Sequence, residues 1–171
     1  MLCLDEQNVL LTALNEAPFG VVKMSEDIEG LVETSVNLGR VRASDEMHLV
    51  LSVRSSKESE KRELCECLMA LAKKTGSAYS ERGDYPAWEY SGPSRLCEIC
   101  ESVYREMYGK EPTTLIIHAG LECGILTSKF PGIHCLSLGP DNFDIHTPRE
   151  RLSLSSFARV WDFLLEVLKA I

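Results

Sequence analysis

Apolar residues near the start of the chain recur at helical spacing. Leu10, Ala13, Leu14 and Ala17 share one face of a segment from about Asp5 to Ala17, and Pro18 and Gly20 then stop the helix. From Leu31 to Val41, and again from His48 to Arg54, the period drops to two, with a polar stretch from Ala43 to Glu46 between them. That pattern predicts a β-hairpin. A second helix is predicted from about Lys57 to Lys74, closed by Gly76, and a short strand-like piece, Ser77 to Arg82, follows it. The order helix, strand, strand, helix, strand equals a β-α-β-β-α-β module without its first strand. In the usual sheet of such a module that strand is central, so its absence predicts a gap.

Gly83 to Pro93 (GDYPAWEYSGP) holds two prolines, two glycines and three aromatics in eleven residues, and it reads as a crossover between domains. Beyond it the signals are those of an α/β layer. A helix near Ser94 to Tyr108 is ended by Gly109, an apolar run covers Thr114 to Ile117, a short helix follows Gly120, and a strand is predicted at Ile133 to Leu138. The last helix has the strongest pattern, with Phe157, Val160, Trp161, Leu164, Leu165 and Leu168 on one broad apolar face behind a cap region at Ser153 to Ser156.

Composition narrows the class of protein. The 171 residues are 44% hydrophobic and carry a net charge of -8, which suits a globular chain and argues against a general nucleic-acid binder. No apolar run reaches the roughly 20 residues of a membrane span, and no signal-peptide pattern opens the chain, so a cytoplasmic location and no membrane partner are expected. The 7 cysteines are an odd number and read as reduced thiols. Cys97 and Cys100 form a CxxC, and Cys65 and Cys67 a CxC, but each pair lies within helical periodicity. Cys100 falls on a stripe with Leu96, Ile99, Val103 and Met107, and Cys67 falls beside Leu64, Leu68 and Leu71. Small buried hydrophobes explain them better than zinc knuckles, which sit in turns.

Two constellations could carry chemistry. With the hairpin turn centred on Asp45 and Glu46, opposed residues sum to 91, and Asn37 faces Arg54. Val36, Leu38, Leu49, Leu51 and Val53 then share one face, and Ser35, Asn37, Ser52 and Arg54 the other. A guanidinium fork with an amide donor beside it makes a carboxylate clamp, and a plain solvated sheet face is the alternative. The second constellation is IHAGLECG, containing His118, Gly120, Glu122 and Gly124 directly after an apolar run, together with His146 in the loop GPDNFDIHTPRERLSL beside Asp141, Asp144 and Thr147. A loop histidine flanked by carboxylates is either a metal ligand or an ordinary surface residue. His48 and His134 lie in strand-like contexts. No GxSxG, Walker loop, GxGxxG or HExxH motif is present.

The segments ETSVNLGRV, LVLSVRSS, GDYPAWEY, HAGLECG and SLGPDNFDIHTPRERLSL, in this order, resemble the C-terminal portion of bacterial aminoacyl-histidine dipeptidases, carnosine-cleaving members of the di-zinc aminopeptidase and carboxypeptidase superfamily. The resemblance implies an α+β and α/β architecture: a partial ferredoxin-like lid, also used for dimerisation, over residues 1–84, and the end of a zinc-peptidase catalytic domain over 85–171. It implies that His146 is a zinc ligand, that Glu122 lies near the substrate's amino end, and that Asn37 and Arg54 grip the substrate carboxylate. Ser52 stands where many relatives place an acidic residue. In such enzymes two zinc ions polarise the peptide carbonyl and activate water, and a glutamate acts as general base. The N-terminal ligands, that glutamate and the lid histidine have no counterpart here, so no residue of this chain is assigned as catalytic.

The resemblance therefore implies a dipeptidase segment that is inactive alone, with a dipeptide substrate, a missing N-terminal half and a second copy of the lid as partners. A non-catalytic interaction module derived from such a peptidase is the other reading.

Overall fold

The computed structural model describes residues 3–26, 28–43, 46–116 and 122–171. They form a mixed α/β structure with two small antiparallel sheets and five helices. The chain divides into two compact units, Met1–Tyr90 with Ile116–Ser128, and Ser91–Leu115 with Lys129–Ile171.

In the first unit α1 (Leu4–Glu16) opens with the Glu6 carboxylate accepting from the Cys3 amide at 2.7 Å, which satisfies one of the free N–H groups at a helix start. Three strands follow, β1 (Gly20–Met24), β2 (Val32–Ala43) and β3 (Met47–Ser55), in the sheet order β1-β2-β3. The hairpin is where the spacing predicts it, but its register differs. Ser35 faces Arg54 and Asn37 faces Ser52, so opposed residues sum to 89, and nearer the turn, where Arg42 faces His48, they sum to 90. One residue of the difference from 91 is taken up by the turn. The other is the irregularity between Leu38 and Arg40, at Gly39. Beyond Gly39 the shift is two, so Ser35, Val36, Asn37 and Leu38 keep their predicted faces, because side chains alternate with period two. Leu49, Leu51 and Val53 are accordingly half-buried, and His48, Ser52 and Arg54 are exposed.

Strand β1 has no counterpart in the sequence reading. Its five residues, GVVKM, show no alternation of burial and lie at the sheet edge, so period two left no trace.

Helix α2 (Glu58–Lys74) turns Leu64 and Leu68 into the core. Cys67, expected on that stripe, is exposed, and Cys65 on the other flank is half-buried, its thiol pushed up by burial. The segment from Ser77 to Arg82 forms no ladder. It runs back along α2 instead: the Ser77 amide donates to Ala72 O at 2.8 Å, and Lys61 Nζ reaches Asp84 at 2.7 Å and Tyr85 O at 2.6 Å. Further along, the Ala87 amide donates to Glu58 at 3.1 Å.

The second unit is built on α3 (Arg95–Tyr108) and α5 (Leu154–Ala170). Ser94 caps α3 by accepting from the Cys97 amide, and Gly109, at φ 61°, ends it in the left-handed region. Cys100, Val103 and Val167 form the core, with Leu96, Ile99, Met107, Leu136 and Phe163 packed against them. The stripe predicted on α3 is thus the buried one. On α5 it is not. Val160, Phe163, Leu164 and Val167 turn inward, while Phe157, Trp161 and Leu168 are 52%, 55% and 60% exposed. The expected strands at Thr114 to Ile117 and Ile133 to Leu138 form no ladder among the described residues, and Ile117 lies outside them. Strands in an α/β layer exist by pairing with neighbours, and neither segment pairs with a described strand.

The first unit is tied together by Glu33, 1% exposed in the central strand. Its carboxylate pairs with Lys57 Nζ at 2.9 Å and lies 3.4 Å from Lys23 Nζ, which also bonds Glu60. The hydrogen bond from Lys57 holds the Glu33 carboxyl below the usual carboxylate range. Glu33→Gln should therefore cost about 1–2 kcal/mol at neutral pH, since both lysines keep solvent contact. A carboxylate with a depressed folded pKa stabilises above its unfolded pKa, and that stability is lost as pH falls through the folded value. Urea unfolding of both proteins across the acid range should show their difference shrinking as pH drops. A difference independent of pH would refute the pairing.

Candidate functional site

Asn37, Ser52 and Arg54 lie on the solvent face of the β2–β3 ladder, opposite the half-buried apolar face. Asn37 is directly across from Ser52, and Arg54 is the diagonal neighbour, roughly 7–8 Å away at the backbone. Both side chains are exposed, and among the described residues no carboxylate or carbonyl engages the Arg54 guanidinium. A free fork with an amide and a hydroxyl beside it suits a carboxylate bound from solution.

Glu122 opens α4 (Glu122–Lys129) and is exposed in its first turn, where the helix dipole favours a carboxylate. The rest of that motif, His118 and Gly120, lies outside the described residues. Gly124, one turn on, is buried against the Pro86–Ala87 backbone: a Cβ added there would sit 2.5 Å from Pro86 O and 3.4 Å from the Pro86 and Ala87 carbonyl carbons. The absence of a side chain at Gly124 therefore sets how closely α4 approaches the crossover segment.

His146 belongs to the second unit. It sits in a loop closed by the short ladder of β4 (Asn142–Phe143) and β5 (Arg151–Leu152), with Asn142 opposite Leu152 and Phe143 opposite Arg151. Two non-glycine residues of this loop have positive φ, Asp144 at 53° and His146 at 65°. That conformation is costly for L-residues, so surrounding bonds must hold it. The His146 amide donates to Glu150 at 3.3 Å, the Thr147 hydroxyl donates to Asp144 O at 2.7 Å, and Arg151 pairs with Asp144 while stacking 5.0 Å from the Phe143 ring. At the base of the loop, Asp141 O accepts from the Ser153 amide at 3.0 Å and the Asp141 amide donates to Ser156 Oγ at 2.8 Å. The loop thus presents an exposed imidazole on a fixed backbone.

Among the described residues no three His, Cys, Asp or Glu side chains converge on a point where a metal could be held. Asp144, which the sequence places near His146, is committed to Arg151. The described residues do not fit a metal ion by themselves, and His146 offers one donor only. The cysteines form no site either: Cys100 is core, and the Cys97 thiol, raised by burial, donates to Glu101 at 3.5 Å. Arg40 and Arg42 were not singled out in the sequence. They line, with β3, a groove of about 800 Å³ in the first unit. No described helix is long and apolar enough to cross a membrane.

The described geometry thus offers an open polar face on the β2–β3 ladder and an exposed histidine in a loop with two positive-φ residues. No family model matches the chain. It is homologous to the C-terminal segment of the cytosol non-specific dipeptidase of Escherichia coli, 33% identical over 168 residues, which covers 96% of this chain and 34% of that protein. Its structure superimposes on the aminoacylhistidine dipeptidase of Vibrio alginolyticus with a TM-score of 0.81 and 31% identity, over 99% of this chain and 35% of the other. The aminopeptidase PepT of Bacillus cereus shares the fold, with a TM-score of 0.73 at 17% identity, over 96% of this chain and 45% of the other. The chain therefore spans about a third of the length of the dipeptidases it matches.

Gly124→Ala should push α4 away from Pro86 and destabilise the first unit by about 1–3 kcal/mol. Amide exchange at Ala87, whose N–H bonds Glu58, should accelerate in the variant. An unchanged stability and exchange rate would show that the backbones are not in contact.

Proposed function

We propose that this chain is the lid-bearing C-terminal segment of a cytoplasmic zinc dipeptidase that cleaves Xaa-His dipeptides of the carnosine type. Residues 1–84 form the partial lid and dimerisation domain, and residues 85–171 the end of the catalytic domain. Asn37 and Arg54 bind the substrate carboxylate, Glu122 meets its amino end, and His146 contributes one zinc ligand. The remaining ligands and the general-base glutamate come from the part of the enzyme to which this chain does not correspond, so the chain alone has no turnover.

The placement of Asn37 and Arg54 as diagonal neighbours on one open face supports this reading, in a chain that matches dipeptidases along nearly its whole length. A carboxylate is what a dipeptide offers at its C-terminal end, and a guanidinium fork with adjacent donors is the side-chain chemistry that reads one. A clamp of this kind selects for chain length as well, because a longer peptide has no carboxylate at that distance from the scissile bond.

The test is co-expression of this chain with the polypeptide that makes up the rest of the Escherichia coli relative. The purified complex should hydrolyse β-alanyl-histidine when supplied with zinc, and the chain alone should not. In that complex His146→Ala should reduce bound zinc, measured by metal analysis, by tenfold or more at limiting metal. Turnover by the chain alone would contradict the reading, as would a complex that forms but never hydrolyses a dipeptide. The second outcome would favour an interaction module. An unchanged zinc content in the variant would remove His146 from the ligand set.

A further inference from the structure

The irregularity at Gly39 changes which residues of β2 reach the open face. With strict alternation from Val36 and Leu38, Arg40 and Arg42 would fall on the half-buried apolar side. The structure instead sets Arg40 opposite Val50 and Arg42 opposite His48, and Val50 and His48 alternate with Ser52 and Arg54 on the solvent side. Directly opposed residues share a face, so both arginines stand on the open one, and both are exposed. Re-aiming side chains in this way is what a bulge does.

The end of the ladder nearest the turn is therefore cationic. Arg42 and His48 are opposed, about 4.5–5.5 Å apart at Cα, and Arg40 lies roughly 7 Å from Arg42 along β2. Residues 37–42 and 48–54 include no carboxylate, and Glu46 at the border of the patch lies 3.5 Å from His48 Nε2. Elsewhere in the same unit Lys23, Lys57, Lys61, Arg62 and Lys74 are each paired with a carboxylate. Among the described residues Arg40 and Arg42 have no such partner. The chain has 26 acidic and 18 basic residues, so two neighbouring guanidinium groups left without a counter-charge stand out. They repel each other until an anion joins them. Val50, opposite Arg40, is 48% exposed and puts a small apolar surface beside the two forks.

We propose that Arg40 and Arg42 bind the phosphoryl group of a phosphate monoester, with the organic part of the ester against Val50. The inference stands on the hairpin alone and requires no activity of the chain. Two guanidinium groups match a dianion in charge, and each offers a planar fork of N–H donors to adjacent oxygens; a single carboxylate has too few oxygens and too little charge to occupy both. The site is distinct from the carboxylate clamp. From Val50 to Arg54 is four residues of β3, roughly 13 Å, which is further than one phosphoryl group spans. His48 borders the site but lies against Glu46, so the two arginines are its donors. A nucleic acid is a poor occupant, because two cations neutralise few of its phosphates and the chain as a whole is acidic.

The test is a titration of phenyl phosphate into the isotope-labelled full chain, followed by NMR at low salt and slightly alkaline pH, where the phosphoryl group carries two charges. Saturable shifts should concentrate at the amides of Arg40, Arg42 and Val50. Arg42→Ala should weaken the fitted affinity tenfold or more, and because the side chain is exposed and unpaired the rest of the spectrum should stay as in the wild type. Replacing both arginines by lysine keeps the charge and removes the forks, so affinity should fall several-fold. Inorganic phosphate, without the apolar part, and phenylacetate, with one charge, should both bind more weakly than phenyl phosphate. The absence of saturable shifts would overturn the proposal, and so would affinity that survives the lysine pair, which would mean diffuse charge attraction only. Equal binding of phenylacetate would remove the phosphoryl group, and equal binding of inorganic phosphate the ester. Loss of binding in Arg54→Ala with none in Arg42→Ala would put the anion in the clamp and overturn the site.

Discussion

The antiparallel pairing of β2 with β3 is the constraint on which the first unit depends. It sets Asn37, Ser52 and Arg54 on one face and Leu49, Leu51 and Val53 on the other, and so separates a polar surface from the packing of α1 and α2. It also decides which backbone groups of β3 are spent within the hairpin and which face outward. Glu33, buried in β2 and bridged toward Lys57 and Lys23, fastens the start of α2 and strand β1 to the same ladder. A slip of one residue in this register would turn Asn37 and Arg54 inward and the core outward.

Both units leave apolar surface uncovered in a directional way. In the first it is the groove beside β3. In the second it is the outer face of α5, with Phe157, Trp161 and Leu168, and the runs at Leu115, Ile133 and Leu138. Surfaces of this kind on a chain with ordinary hydrophobic content suit packing against further elements. The structural match over 99% of the chain's length shows that its fold tracks the corresponding part of an aminoacylhistidine dipeptidase structure. The candidate residues are divided between the units, Asn37 and Arg54 on the first and His146 on the second, with no converging metal donors among the described residues.

Much of this could be read from the sequence, for physical reasons that differ by element. Helices α1, α2 and α3 are local structures, and their periodicity and caps are written within them. The faces of the hairpin were readable because alternation survives an even register shift, but the register was not, since neither the turn nor the kink at Gly39 leaves a mark in hydrophobicity. β1 and the failed strands show the opposite limit. β1 exists because β2 pairs with it, and Ile133 to Leu138 pairs with no described strand, yet the first looks less like a strand than the second. The face of α5 was misjudged for the same reason. Its broadest apolar stripe is intrinsic to the helix, but which part is covered depends on what lies against it. Of the candidate site, Asn37 and Arg54 follow from alternation alone, whereas the roles of His146 and Glu122 came from resemblance. Spacing does not distinguish a ligand from a surface residue.

In the function proposed above, the open face of β2 and β3 binds the carboxylate of a dipeptide. It is tested most directly by comparing, in the complex reconstituted with the rest of the relative, the affinity for β-alanyl-histidine with that for its C-terminal amide, in the wild type and in Arg54→Ala. Amidation should weaken binding to the wild type by roughly 1.5–3 kcal/mol, and this penalty should largely vanish in Arg54→Ala, because the carboxylate and the guanidinium interact with each other. An equal amidation penalty in both proteins would contradict it.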